Sequence, residues 1–123
     1  MRGRELYHFE LEPEVRDWLD SLSDSDFKRV DEVFGLLAEK GTGLGGPWPI
    51  TWRAPVWELR VRLRQTAVRV TFWCGPASTI VLLTVFRKTR QQDQRQIDRA
   101  LRAHQVCERD HRGPAVQTYG RQA

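Results

Sequence analysis

The chain has 123 residues, of which 29% are charged and 40% are hydrophobic. This composition is typical of a folded globular protein and excludes a disordered chain, and the length predicts one domain with a modest core. No window approaches the roughly 20 apolar residues of a membrane span, and no apolar stretch follows the first residues, so we expect no membrane partner and no signal peptide.

The two cysteines, Cys74 and Cys107, are too few for a disulfide framework. That number is typical of a reduced compartment, and we expect a cytoplasmic protein. His104, Cys107 and His111 form the only cluster of metal-ligand residue types, and it lacks a Cys-x-x-Cys pair. The sequence therefore predicts no metal and no other cofactor.

The net charge of +4 conceals an asymmetry between the two halves of the chain. Residues 1–52 carry six Lys or Arg and eleven Asp or Glu, a net charge of −5, whereas residues 53–123 carry fourteen and five, a net charge of +9. A polyanion such as RNA or DNA would meet the second half. The alternative is a solvated basic surface that binds no partner.

The first half of the chain predicts one strand and two helices. Residues 6–11 alternate between apolar and polar side chains, which is typical of a short strand. Pro13 suits the first turn of a helix, and a second helix is expected to begin at the capping residues 23–26 and to end at Gly41. Apolar residues recur at helical spacing: Val15, Trp18, Leu19 and Leu22 in the first helix, and Phe27, Val30, Val33, Phe34 and Leu37 in the second.

The second half predicts a loop, three strands and a last helix. Residues 41–55 hold four glycines and three prolines, which indicates a loop. Within it, Trp48 and Trp52 either fasten the loop to the body of the protein or stack on a base. Strands are expected at 57–63, 67–73 and 79–86, with a turn at 74–78 and a helix from Gln91 to about Arg109.

These elements predict an α+β fold. Two N-terminal helices are expected to cover one face of a small, mostly antiparallel four-stranded sheet, and a C-terminal helix completes a single domain over residues 1–110. The apolar strand 79–86 is expected to lie in the centre of the sheet. Residues 111–123 are expected to form a flexible C-terminal tail.

Strand alternation places several cations on the sheet face opposite the two helices, which is expected to be partly open. Arg60, Arg62 and Arg69 share that face with Glu58 and Trp73. Three arginines on one face repel each other unless an anion binds there. A purely structural alternative is that Glu58 pairs with Arg69 across the strands.

Three more cations, Arg87, Lys88 and Arg90, lie where the apolar strand runs out towards the last helix. Guanidinium and ammonium groups are the usual partners of phosphate in proteins. A phosphate is therefore expected between this strand end and the arginine face, with a solvated surface as the alternative.

Four blocks occur in this order: Trp57-Glu58-Leu59-Arg60, then Val68-Arg69-Val70, then the apolar strand ending in Phe86-Arg87-Lys88-Thr89, then Ile97-Asp98-Arg99-Ala100. They are preceded by Gly-Thr-Gly-Leu-Gly-Gly-Pro at residues 41–47. Together they resemble the RelE/ParE superfamily of toxins from type II toxin–antitoxin systems, and most closely its phage-derived HigB-like branch. The resemblance runs from about Tyr7 to Cys107.

The resemblance implies a RelE-like fold and a metal-independent endoribonuclease that cleaves mRNA on the ribosome and inhibits translation. It implies that Arg60 and Arg69 stabilise the scissile phosphate, that Lys88 transfers a proton, and that Glu58 orients an arginine or acts as a base. The implied partners are the ribosome, mRNA and a cognate helix-turn-helix antitoxin. Four further side chains are expected to bind RNA: Arg62, Arg87, Arg90 and Trp73.

The sequence departs from the family pattern at three points, the first being the acidic residue that follows Thr89 in many relatives, where Gln91, Gln92 or Asp93 stands here. Arg87 stands where many relatives have lysine, and a C-terminal Asp-Tyr-His cluster like that of some HigB enzymes is missing, which leaves the general acid and base unassigned. Two other functions stay open. A ParE-like protein would bind and inhibit DNA gyrase without catalysis, and a prophage-derived remnant would fold and be inactive.

Overall fold

The computed structural model describes residues 7–43, 50–88, 93–109 and 117–118. A short 3-10 turn at Gly41–Gly43 follows the second helix. The elements in chain order are β1 (His8–Leu11), α1 (Pro13–Ser21), α2 (Asp24–Lys40), β2 (Ile50–Arg53), β3 (Val56–Arg62), β4 (Ala67–Gly75), β5 (Thr79–Arg87), α3 (Asp93–Arg109) and β6 (Gln117–Thr118).

The described strands form one sheet in the order β2-β3-β4-β5-β1-β6, and among them only β1 and β5 pair in parallel. The prediction of four strands was wrong. The described residues form a mixed sheet of five strands, and the two-residue β6 extends it beside β1. The sequence did not reveal β2 because four residues that follow glycines and prolines are too few to display alternation.

Local signals set the ends of α1 and α2. Pro13 lies in the first turn of α1, and the Asp26 amide donates a hydrogen bond of 3.2 Å to the Ser23 hydroxyl at the start of α2. Gly41 ends α2 with a φ of +56°, a conformation that favours glycine. A Cβ there would lie 2.6 Å from Tyr7 Cε2, so packing requires glycine as well.

The sheet separates two cores. The apolar sides of α1 and α2 pack on one face and bury the larger core, which includes Leu11, Leu19, Phe34, Leu59 and Phe72. The opposite face, called the outer face below, carries α3 over a smaller core of Val56, Trp73, Val81, Leu83, Ala100 and Cys107. Thus α3 covers part of the face that the sequence predicted to be partly open. Among the described residues, no helix is long and apolar enough to cross a membrane.

Candidate functional site

Paired residues on β3, β4 and β5 form two rows of side chains on the outer face. In one row, Arg60 lies opposite Arg69, and Arg69 lies opposite Phe86. In the next, Arg62 and the backbone amide of Lys88 flank the same residue of β4 from its two sides. The two rows bring together Arg60, Arg62, Arg69 and Lys88, which we call the cationic cluster.

A β-bulge determines which residues at the end of β5 face this cluster. Thr71 of β4 lies opposite Thr84, whereas the next residue of β4 lies opposite Leu82, so Leu83 is an extra residue in β5. The Thr84 amide donates to Thr71 Oγ1 at 3.1 Å, and the two hydroxyl oxygens are 2.6 Å apart. Because side chains alternate along a strand, the extra residue shifts the alternation by one and places Lys88 on the outer face.

Glu58 and Arg69 form an ion pair next to the two exposed arginines. Arg69 Nε lies 3.5 Å from Glu58 Oε1, and the side chains are only 12% and 5% exposed. Glu58 Oε2 is buried and has no hydrogen-bond partner among the described residues. The pair that the sequence offered as a structural alternative is therefore present, and it fixes the position of one arginine of the cluster.

The structure separates Arg87 from the cationic cluster. Arg87 lies opposite Val68, whose side chain belongs to the larger core on the side of α1 and α2. There Arg87 lines a cavity of about 210 Å³ together with Trp18 and Thr66. Arg90, the third cation expected at this strand end, lies outside the described residues.

Trp73 lies on the outer face, as alternation predicted, but α3 covers it. Its indole Nε1 donates to Cys107 Sγ at 3.4 Å, and its ring meets His104 edge-on with centroids 4.8 Å apart. Burial raises the pKa of the Cys107 thiol, and the indole hydrogen bond acts in the opposite direction. Trp73 is 9% exposed and belongs to the smaller core. His111 lies outside the described residues.

A contact that the sequence did not predict fastens the open edge of β5. β1 pairs with β5 only as far as Leu82, and beyond this point the Val85 amide donates to Glu14 Oε2 at 3.0 Å. Arg99 of α3 contacts Glu14 Oε1 at 2.5 Å and reaches the Val85 carbonyl at 3.4 Å. This network ties α1 and α3 to the strand that presents Lys88. Arg99 lies in one of the family-like sequence blocks, but its partner is 85 residues away.

The cationic cluster offers four positive side chains and one buried carboxylate. Arg60 and Arg62 are exposed, so a ligand can reach their guanidinium groups. Such groups hold phosphate through charged hydrogen bonds, and an ammonium group such as that of Lys88 can also exchange a proton. In the part of the chain that the structure describes, no three His, Cys, Asp or Glu side chains are placed to hold a metal ion.

Fold and site together define a small α+β protein with a cationic sheet face suited to a phosphate-bearing ligand. The chain matches the family model described as Phage derived protein Gp49-like (DUF891) over residues 17–105. It therefore belongs to this family of phage-derived, toxin-like proteins. The matched residues run from α1 into α3 and contain the entire cationic cluster. None of the curated proteins matches the chain.

Proposed function

We propose that this protein is the toxin of a type II toxin–antitoxin system, similar to the HigB-like branch of the RelE/ParE superfamily, and that it cleaves mRNA on the ribosome. The observation that carries the proposal is the cationic cluster, in which the bulge of β5 places Lys88 beside the row of Arg60 and Arg69. Membership of a phage-derived, toxin-like family supports it. The ribosome and the reaction place the protein in the cytoplasm.

The chemistry needs only the substrate's own nucleophile. The 2′-hydroxyl oxygen of RNA attacks the adjacent phosphorus, the bond from phosphorus to the 5′-oxygen breaks, and the products carry a 2′,3′-cyclic phosphate and a 5′-hydroxyl. Positive side chains lower the barrier by stabilising the charge that accumulates on the phosphorane. Binding the RNA in line supplies the remaining acceleration through orientation.

Three residues of the cluster, together with Glu58, have roles that their positions support. Arg60 is exposed and binds the scissile phosphate. Arg69 is held by Glu58 and presents a fixed guanidinium to the same phosphate. Lys88 donates a proton to the leaving 5′-oxygen, and the 2′-hydroxyl loses its own proton to a base. Glu58 positions Arg69 through their ion pair, and the family resemblance also offers this carboxylate as that base.

The test is induction of the protein in bacteria followed by mapping of mRNA 5′ ends. We expect growth arrest, arrested translation and cuts in phase with codons. Arg60→Ala should abolish the cuts while the protein stays folded, because Arg60 is exposed. Arg102→Ala removes an equally exposed cation of α3 and is the matched control. A 2′-deoxy sugar at the cleaved position should block the reaction in vitro.

Two outcomes would contradict ribosome-dependent cleavage. DNA breaks trapped by gyrase, without codon-phased cuts, would assign the protein to the ParE-like inhibitors. Normal growth despite abundant folded protein would indicate an inactive prophage remnant. The proposed partner in the cell is a helix-turn-helix antitoxin, and co-expression of such a protein from a neighbouring reading frame should restore growth.

A further inference from the structure

We propose that a groove at the end of β3, which shares Arg62 with the cationic cluster, is a second binding site for the RNA backbone. This inference rests on the proposed function and extends it to a new set of residues. The groove lies between the first turns of α2 and the turn that joins β3 to β4. It is lined by Ser25, Asp26, Arg29, Arg62, Leu63 and Arg64, and we call it the turn groove.

The turn groove has the size and charge that a phosphodiester needs. Its volume is about 400 Å³, and three arginines from three different elements line it, against one acidic residue, Asp26. Arg62 and Arg64 are exposed, and Arg29 is 45% exposed. Arginines that approach a single groove from α2, from β3 and from a turn can surround an anion and hold it through several charged hydrogen bonds.

One interaction of Arg29, with Glu32, is weak enough to be exchanged. Arg29 Nη1 lies 3.8 Å from Glu32 Oε1, one turn further along α2, and both side chains are about half exposed. Exposed ion pairs of this kind contribute little, because solvent screens them. A phosphate in the turn groove can therefore replace this contact with Glu32.

Continuity with the cationic cluster indicates which ligand the turn groove takes. Arg62 belongs to both, since it lies two residues beyond Arg60 on β3 and also lines the groove. Two residues along a strand span about 7 Å, which is close to the separation of consecutive phosphates in an extended single strand. A strand whose scissile phosphate lies at Arg60 and Arg69 would thus carry its neighbouring phosphates past Arg62 and over the end of the sheet, towards Arg64 and then Arg29 on the α2 side.

The experiment compares two double variants of equal charge change in the full chain. Arg29→Gln/Arg64→Gln alters the turn groove, and Arg95→Gln/Arg102→Gln removes two exposed arginines of α3 as the matched control. We would measure filter binding to 70S ribosomes, with and without mRNA, at several salt concentrations, and the rate of mRNA cleavage at saturating ribosome. The groove variant should bind about tenfold more weakly, with a shallower salt dependence, while its saturated cleavage rate stays within about twofold of wild type.

The two forms of the ribosome identify the RNA that lies in the groove. Loss of affinity confined to programmed ribosomes supports mRNA in the turn groove, whereas equal loss on empty and programmed ribosomes would contradict this path and indicate ribosomal RNA. Equal loss in the groove variant and the α3 control would overturn the inference, because general attraction would then explain the effect. A wild-type protein that binds through the groove without cutting mRNA would contradict the proposed cleavage and leave the groove in place.

Discussion

Glu58 and Arg69 form a buried ion pair, so a mutation of either residue affects stability as well as any effect on function. Their side chains are almost fully buried, and only one carboxylate oxygen of Glu58 contacts Arg69. Removing one member of such a pair leaves an uncompensated buried charge, which costs about 3–5 kcal/mol in stability. The period of two along β3 and β4 predicted that both residues share a face. The alternation did not predict how deeply the two side chains are buried, because burial depends on how α3 and the neighbouring strands pack around them.

Arg69→Ala is accordingly expected to destabilise the protein by about 3 kcal/mol or more, in addition to any effect on RNA cleavage. Glu58→Gln/Arg69→Gln should be clearly less destabilised than the sum of the single variants, since it leaves no lone charge in the sheet. Chemical denaturation of the wild type, Glu58→Gln, Arg69→Gln and the double variant measures the coupling free energy between the two residues. Additive losses would contradict a coupled pair. Arg60→Ala, at an exposed position, is therefore the cleaner test of catalysis.

Strand β5 depends on two elements that are distant in the sequence. Where β1 stops pairing, Glu14 of α1 accepts the Val85 amide, and Arg99 of α3 contacts both Glu14 and the Val85 carbonyl. Both charged side chains are more than a third exposed, so their mutual attraction alone contributes less than about 1 kcal/mol. The hydrogen bond from the Val85 amide to Glu14 contributes more than the ion pair. Without Glu14, this backbone amide at the edge of β5 would have no acceptor, which lowers stability.

A charge swap separates these two contributions. Glu14→Arg/Arg99→Glu restores an ion pair but removes the acceptor opposite Val85, because an arginine side chain can only donate hydrogen bonds. We expect the swap to remain about as destabilised as Glu14→Ala, by about 1–2 kcal/mol, and the Val85 amide to exchange faster in both. Glu14→Gln keeps an acceptor and should lose less. Complete rescue by the swap would mean that the ion pair alone matters.

The elements themselves were predictable where their pattern is long. Residues 13–40 carry two apolar stripes with distinct caps, and both helices lie where the sequence placed them. β2 was missed because its four residues follow a segment of glycines and prolines, and its position is set by pairing with β3. The bulge in β5 was invisible for a related reason, since the strand is apolar on both faces and an extra residue leaves no trace in its pattern.

For the whole molecule, the cationic cluster and the excess of positive charge fall in the same half of the chain. All four residues of the cationic cluster come from the half with a net charge of +9. The half with a net charge of −5 nevertheless contributes Glu14 to the network at β5 and Arg29 to the turn groove. Neither contribution follows from net charge, because each depends on which helix turn the fold places beside β5 or beside the β3–β4 turn.

The two cores predict a gradient of protection across the sheet. β4 and the first half of β5 are paired on both sides and lie between the cores, whereas β2 lies at the edge and holds the exposed Trp52. Hydrogen exchange followed by mass spectrometry should show the slowest amides in peptides from β4 and β5 and much faster exchange in β2. Equal protection of β2 would indicate that another segment or a second molecule covers this edge.

The bulge at Leu83 makes the site sensitive to chain length in a way that substitutions do not reveal. The extra residue reverses the alternation, so every side chain of β5 beyond Leu83 points to the opposite face from the one it would face in a regular strand. Deleting one residue there would exchange Arg87 and Lys88 between the faces, moving one cation out of the cluster and another into it although neither cation is substituted. Related chains should thus be aligned by their position relative to the bulge, because an alignment by strand start alone would equate residues that lie on opposite faces.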